Sequence, residues 1–361
     1  MIDCDALVVG GGPAGSTCAR TLVNAGLNVV VADRARFPRD KVCAGWLTPR
    51  VFSLLELDPA EYRATGLTLE EIDAFRTGVI GGATIETRYG GVVSYAIRRC
   101  EFDHFLLRRS GAQALEDTPI ATFARHGGAW IVNDRIRTPI VVGAGGHFCP
   151  VARYLRGAAD TSQPVVAKEA EFIAADGDAR RAGAPELLFC RDMQGYAWCV
   201  RKGRYLNVGI GRRDARAFGD HVKGFMEILR AGGVEAGDKQ IKWRGHAYYA
   251  AGVGPRPLVA PGAIVIGDAA GLAYPESGEG ICPAVESGRL AGETLVAARG
   301  RYTRDALQPY EDAMTRQHPA SWAQPKALRP LSAAAGRLLL GSPLFTRRVL
   351  LDRWFLRGFT A

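Results

Sequence analysis

The sequence predicts an α/β fold in which a largely parallel sheet is interleaved with an antiparallel one, with a helical region at the C-terminus. Three observations predict it. An apolar strand at residues 5–9 runs straight into Gly10-Gly-Gly12-Pro13-Ala14-Gly15, and an alanine-containing helical stretch follows. A second apolar strand, residues 28–32, ends on Asp33. Further along, residues 195–202 and 205–210 alternate large apolar with other residues on either side of a short turn, the pattern of an antiparallel hairpin.

The first observation is the most specific. In a strand–Gly-x-Gly-x-x-Gly–helix unit the first glycine permits a tight turn, the second lets the backbone approach a pyrophosphate, and the third lets helix and strand pack closely. Free N–H groups and the helix dipole at the new N-terminus then favour phosphate. Asp33 lies eighteen positions past Gly15, near the spacing at which a carboxylate reaches a ribose hydroxyl. Strand, glycines, helix and acid together predict a Rossmann-like dinucleotide site.

After Asp33, Pro38 and Ala44-Gly45 interrupt regular structure, so residues 34–46 read as a loop leading away from the ribose toward the cofactor's reactive end. Residues 51–55 and 69–75 read as helical, and residues 79–97 as strands entering a second domain. Helical periodicity resumes at Arg98. Strands are expected near 120–125 and 129–132, then an apolar strand at 140–143 that ends in Gly143-Ala-Gly-Gly146. This is not a second complete Gly-x-Gly-x-x-Gly, so no separate nicotinamide domain is expected. Residues 159–254 read as an antiparallel sheet with one helix near 216–229, and alternation puts Tyr196 and Trp198 on one face. A last buried strand ends in Gly267-Asp268, and Tyr274-Pro-Glu-Ser-Gly278-Glu279-Gly280-Ile281 opens a long helix over 282–298. An aspartate there can accept from sugar or ribityl hydroxyls, and amides opening a helix can stabilise negative charge on a cofactor ring. NAD has no use for this third element; a flavin dinucleotide, with adenine at one end and isoalloxazine at the other, does.

Bulk properties narrow the partners. At 361 residues the chain suits two domains, and 47% hydrophobic with 23% charged residues is an ordinary soluble composition. No apolar run reaches the length of a membrane span, and the N-terminus enters a strand without a signal-like apolar segment, so a cytoplasmic location is expected. The eight cysteines lack C-x-x-C spacing and the six histidines lack a ligand pattern, so reduced thiols and no metal are expected. Six of the nine net positive charges fall after residue 325, among greasy segments at 338–345 and 349–356. Without a nucleic-acid module, this pattern points to an anionic membrane surface or to a helix pair docked on the body. Loss of vesicle binding on removal of the residues past Pro343 is the expectation for the first case.

The motifs resemble the geranylgeranyl reductase family of FAD-dependent oxidoreductases, within the wider fold class of p-hydroxybenzoate hydroxylase and the flavin halogenases. The matching stretches are 10–15, 33–45, 99–103, 143–146, 196–202 and 267–281, in the family's order. Pro275-x-x-Gly278-Glu279-Gly280-Ile281 is similar to the reductase form, and the halogenase motif W-x-W-x-I-P is absent. Tyr196-x-Trp198 is similar to the reductases' Y-x-W-x-F-P-K, with Val200-Arg201 in place of Phe-Pro, and the family's Cys-Gly-Gly is Cys43-Ala44-Gly45.

The resemblance implies an FAD-binding domain (1–75, 98–158, 255–321) interleaved with a substrate domain (76–97, 159–254), and a basic, apolar helical region over 322–361. It implies FAD held by Gly10, Gly12, Pro13, Ala14, Gly15, Asp33, Arg34, Lys41, Val42, Cys43, Ala44, Arg99, Gly143, Gly267, Asp268, Gly278, Gly280 and Ile281. Tyr196, Trp198 and Val200 would line the substrate pocket. Cys43 would sit at the flavin's reactive face, as a proton donor or as a small buried side chain. The implied activity is reduction of a carbon–carbon double bond in a prenyl or other apolar substrate by hydride from reduced flavin. The electrons would come from transiently bound NAD(P)H or a donor protein. The same fold also serves aromatic hydroxylation by flavin monooxygenases and, as a third alternative, flavin binding without turnover.

Overall fold

The computed structural model describes residues 1–157, 163–175, 182–234, 241–252, 256–318 and 329–357. The chain divides into two units, residues 1–40, 100–163 and 248–322 in the first and 41–99, 164–247 and 323–361 in the second.

In the first unit the strand Ala6–Val9 is apolar at every position and buried along its whole length. Such a run suits the middle of a parallel sheet covered on both faces. It pairs in parallel with Val29–Ala32 on one side and Val141–Gly143 on the other. The six-stranded order is Val259–Ala260, Ala263–Val265, Val141–Gly143, Ala6–Val9, Val29–Ala32, Gln113–Leu115. Only the outer pair, Val259–Ala260 with Ala263–Val265, is antiparallel. The helix Pro13–Asn24 starts on a proline, whose missing N–H costs nothing at that position. It lies against the helix Ile281–Ala298 so closely that a Cβ on Gly288 would fall 2.3 Å from the Ala14 carbonyl oxygen, and one on Gly292 2.6 Å from Thr21 Cβ. A smaller sheet, Ile2–Asp3, Ile136–Thr138, Ala129–Val132 and Phe123–His126, completes the described strands of this unit.

The second unit holds a seven-stranded sheet in the order Arg244–Tyr248, Val165–Ile173, Tyr205–Arg212, Gly195–Lys202, Glu186–Phe189, Ala74–Val79, Thr84–Arg88. The register across its centre pairs Glu169 with Gly209 and Gly209 with Trp198. Period two then separates two faces. Ala197, Cys199, Leu206, Val208 and Ile210 point to one, where Val222, Phe225 and Leu229 of the helix Phe218–Ala231 pack on them. Tyr196, Trp198, Val200 and Lys202 share the other.

The structure corrects the expected helix at 69–75. Leu69–Ile72 is a strand antiparallel to Ser94–Ile97, and Ala74–Val79 runs parallel to Glu186–Phe189. Seven residues are too few for helical periodicity to decide, and sheet pairing that buries Ile72 and Phe75 overrides the helical propensity of Leu-Glu-Glu. Residues 41–75 also group with the antiparallel unit, not with the dinucleotide unit. The boundary falls after Asp40 because the loop from Cys43 onward enters the three-stranded sheet of Trp46–Leu47, Ser94–Ile97 and Leu69–Ile72.

The C-terminal region is helical, as the sequence suggests, and belongs to the second unit. It comprises the helix Arg329–Leu340, a turn at Pro343–Phe345 and a π-helix, Thr346–Phe355. Leu340, Leu350, Leu351, Phe355 and Leu356 are buried in one cluster with Phe75, Trp198 and Val200. A hydrogen bond from Tyr89 Oη to Asp352 Oδ1 at 2.6 Å, and another from Arg347 Nη1 to the Arg88 carbonyl at 2.8 Å, fix the π-helix to the sheet edge.

Candidate active site

The first unit builds a cradle at the ends of its parallel strands. Gly10 has φ +113°, and a Cβ there would sit 2.5 Å from the Ala144 carbonyl oxygen. A Cβ on Gly15 would lie 1.9 Å from the Gly10 carbonyl oxygen. Gly12 is the N-cap of Pro13–Asn24, no side chain caps that helix, and its first turn carries no acid. Its leading N–H groups therefore have no negative side chain competing for them. Asp33 is held in place by its own loop: Oδ2 accepts from the Gly11 N–H at 2.8 Å and Oδ1 from the Ala35 N–H at 2.9 Å. Arg34, beside it, is exposed, its guanidinium 6.0 Å from the centre of the Phe148 ring. This cradle, with no room for a side chain and a carboxylate fixed at its rim, fits the adenosine diphosphate half of FAD.

Two residues of the matching stretches 33–45 and 99–103, given no role by the sequence reading, flank this cradle. Arg39 Nη1 lies 3.1 Å from Asp103 Oδ2, a fully buried carboxylate, and Nε lies 4.0 Å from Asp33 Oδ2. The guanidinium also covers the Phe37 ring at 4.7 Å and stands 3.5 Å from where a Cβ on Gly12 would be. A fixed cation thus flanks the glycine loop. In the 99–103 motif it is Asp103 that makes this contact; Arg99 is buried at the start of the helix Arg99–Arg109.

The third element closes the same unit. Asp268 lies in a short 3-10 turn, Gly267–Ala269, after the strand Ala263–Val265. A Cβ on Gly280 would come 2.9 Å from Asp268 Oδ1, so the aspartate and the uncapped N-terminus of Ile281–Ala298 stand side by side. Gly278 has φ +71°, and its N–H donates to the Tyr274 carbonyl at 2.8 Å. Gly143 serves packing: a Cβ there would lie 2.8 Å from Val151 Cβ.

In the second unit the 41–45 stretch rests on the polar end of the sheet face. The Cys43 N–H donates to Glu169 Oε2 at 2.5 Å, and Asn207 Nδ2 donates to the Cys43 carbonyl at 3.4 Å. The Gly45 N–H donates to Cys43 Sγ at 3.4 Å. Gly45 has φ +67°, and a Cβ on it would meet the Ile97 carbonyl oxygen at 2.2 Å and Lys202 Nζ at 2.6 Å. Lys41 Nζ lies 2.6 Å from His246 Nε2. Val42 and Ala44 pack against the Trp198 cluster. Beneath the turn, Glu171 takes Lys202 Nζ at 2.9 Å and Arg98 Nε at 2.8 Å.

This buried charge cluster has a lopsided protonation pattern. Burial opposes the charge of Glu171, yet Lys202 and Arg98 hold it below the ordinary carboxylate range. Burial pushes the Glu169 carboxyl up to about 7, against the pull of Lys202, the Cys43 N–H and Asn207, with Glu171 adding repulsion. From the ordinary value of 4.5 upward the unfolded chain loses this proton while the folded chain keeps it to about 7. Stability is therefore expected to fall between those two values and level off above, by roughly 3 kcal/mol from this group. Denaturant unfolding at pH 5 and pH 8 checks this: Glu169→Gln should flatten the pH dependence, and equal slopes in both proteins would contradict it.

The residues proposed for the substrate pocket are brought together. Trp198 and Val200 are buried and Tyr196 is half-buried. The Tyr196 ring lies 6.1 Å from that of Trp198 and 5.5 Å from that of Phe355, a residue of the greasy segment 349–356 to which the sequence reading gave no place beside the pocket strand. The sequence reading gave no role to Glu169, Glu171 or Asn207, and took Lys202 only as the end of the 196–202 stretch; Glu-x-Glu in a strand whose one other charge is Lys168 signals two carboxylates on one face.

A glycine cradle with a carboxylate fixed at its rim, followed by a second helix N-terminus beside an aspartate, defines a flavin-dependent oxidoreductase of the Rossmann type. The FAD binding domain family matches residues 3–68. Over 335 residues the chain is 30% identical to the digeranylgeranylglycerophospholipid reductase of Methanoculleus marisnigri, spanning 85% of this chain and 80% of that protein. It is 28% identical over 336 residues to the menaquinone reductase of Mycolicibacterium smegmatis, spanning 81% and 76%. A geranylgeranyl bacteriochlorophyll reductase-like protein of Thermoplasma acidophilum shares the fold, with a TM-score of 0.74 at 22% identity over 94% of this chain and 88% of that one. The chain belongs to the geranylgeranyl reductase family of FAD-dependent oxidoreductases.

Proposed function

We propose that this protein reduces carbon–carbon double bonds in the prenyl chain of a lipid. The observation that carries the reading is the similarity, over four fifths of its length, to a reductase whose name specifies geranylgeranyl chains. Reduced FAD supplies the hydride. The chain's own residues do the rest. In the first unit the glycine loop, Arg39 and Asp33 would hold the dinucleotide, and Asp268 with the amides opening Ile281–Ala298 would take its ribityl and ring end; in the second, Cys43 Sγ is the proton donor that the family resemblance implies. Transiently bound NAD(P)H or a donor protein returns the electrons. The test is product analysis under strict anaerobiosis. A geranylgeranyl lipid incubated with reduced enzyme should gain two hydrogens per bond reduced. A product formed only in air, carrying oxygen, would assign the monooxygenase chemistry instead.

The lipid reaches the enzyme from an anionic membrane surface. No helix among the described residues is long and apolar enough to cross a membrane. However, Leu338 and Leu344 are 81% and 68% exposed on the C-terminal helices, with Leu339 beside them. The exposed Arg337, Arg348 and Arg353 lie in the same segment. Exposed leucines among arginines suit insertion at a headgroup layer. Leu338→Glu with Leu344→Glu should abolish sedimentation with anionic vesicles without altering the unfolding midpoint; unchanged sedimentation would refute a role for this patch.

A further inference from the structure

We propose that Trp198, Asn207 and Glu169 are positioning residues that clamp the Cys43 peptide from beneath, so that the motif tryptophan acts through the cysteine turn and not as a wall touching substrate. The proposal rests on the reading that Cys43 serves the reduction.

The clamp is a directed chain of hydrogen bonds. Trp198 Nε1 donates to Asn207 Oδ1 at 2.7 Å, in a buried pair. An indole N–H can only donate, so this bond fixes which end of the amide faces the tryptophan. Asn207 Nδ2 is thereby turned to the other side, where the Cys43 carbonyl, Glu169 Oε2 and Glu171 Oε2 each lie 3.4 Å away. Glu169 Oε2 in turn receives the Cys43 N–H. Both polar groups of the Cys43 residue's backbone are therefore held, the N–H from the strand Val165–Ile173 and the carbonyl from Tyr205–Arg212.

The tryptophan is itself wedged. Its cross-strand partner is Gly209, and a Cβ on Gly209 would fall 2.2 Å from Trp198 Cζ2. Only glycine leaves room for the indole to lie flat along the sheet and reach Asn207. The sequence motif Tyr196-x-Trp198-x-Val200-x-Lys202 has the same logic at its far end, where Lys202 lies under Gly45 and pairs with Glu171. Four alternating positions of one strand thus carry a donor for Asn207 and a cation for the turn, with apolar side chains between.

The experiment uses the full-length, FAD-loaded protein and two readouts. The first is alkylation of Cys43 by iodoacetamide, located by peptide mass mapping; Cys43 and Cys100 are the two cysteines that are not buried. The second is the split between kcat and KM for a geranylgeranyl lipid as substrate. Trp198→Phe removes the N–H donor together with the part of the indole that lies over Gly209, so Asn207→Leu, which leaves the indole in place, is its paired variant. Trp198→Phe should raise Cys43 alkylation about fivefold, the equivalent of one buried hydrogen bond, and lower kcat with KM held. Asn207→Leu should do the same, and the double variant should be no worse than Asn207→Leu alone, because the two residues form one chain. Alkylation rates unchanged in both variants would overturn the clamp, as would additive effects or a raised KM with kcat intact. Alkylation needs no substrate, so failure of the prenyl-lipid reading leaves the clamp tested on its own.

Discussion

Gly15→Ala is expected to leave a folded protein that retains no FAD through desalting. The added methyl would lie 1.9 Å from the Gly10 carbonyl oxygen, a backbone atom that cannot swing aside as a side chain would. The strand end and the helix Pro13–Asn24 must separate to admit it, which would move the uncapped N–H groups away from where a pyrophosphate would bind. Affinity should fall at least about a hundredfold, near 3 kcal/mol. Gly219→Ala is the matched control: it lies in the helix Phe218–Ala231, and a Cβ there meets nothing within 4 Å. The flavin-to-protein absorbance ratio after desalting, followed by FAD titration of the apoprotein, measures both. Full retention by Gly15→Ala would mean that the cradle does not hold the dinucleotide.

The second large effect lies at the other end of the chain. Phe355→Ala should destabilise the second unit by about 3–5 kcal/mol, the range for emptying an aromatic site in a core. The Phe355 ring is nearly parallel to that of Trp46, with centroids 5.4 Å apart, and stands edge-on to Tyr196 and Phe189 at 5.5 and 6.5 Å. Leu350, Leu351 and Leu356 are buried beside it. Truncation past Pro343 therefore removes core together with part of the exposed patch (Leu344, Arg348 and Arg353) and leaves Leu338 and Leu339, so a loss of vesicle binding on truncation does not by itself identify a lipid anchor. Urea unfolding of Phe355→Ala, set against the surface double variant at Leu338 and Leu344, separates the two roles. An unchanged midpoint for Phe355→Ala would contradict the packing described.

What the sequence made legible follows from distance along the chain. The glycine loop and Asp33 lie within one strand–helix–strand passage, so their spacing alone predicts the cradle. Arg39 and Asp103 meet only because the helix Arg99–Arg109 returns to the loop, a contact that no local pattern encodes. The sheet is legible as alternation, which places Tyr196 and Trp198 on one face but does not say what fills that face. Phe355 fills part of it from more than a hundred and fifty residues away. Glu169, Asn207 and Lys202 come from three strands, and a charged residue in a strand reads as solvent-facing until the register is known. On a helical wheel the greasy and basic residues of the C-terminal segment do not separate, for a specific reason. Its buried residues, Thr346, Leu350, Leu351 and Phe355, recur every four to five positions, which is the wide turn of a π-helix. Plotted at the period of an α-helix, the same residues scatter among the arginines.

The reduction itself is tested most directly by anaerobic reoxidation of the bound flavin. The FAD-loaded protein is reduced photochemically, oxygen is excluded, and a geranylgeranyl lipid in anionic vesicles is mixed in while flavin absorbance is followed. Return of the oxidised spectrum with a product two mass units heavier per turnover is the predicted result. A flavin that stays reduced in the presence of prenyl lipids, and reoxidises only when air is admitted, would contradict the assignment.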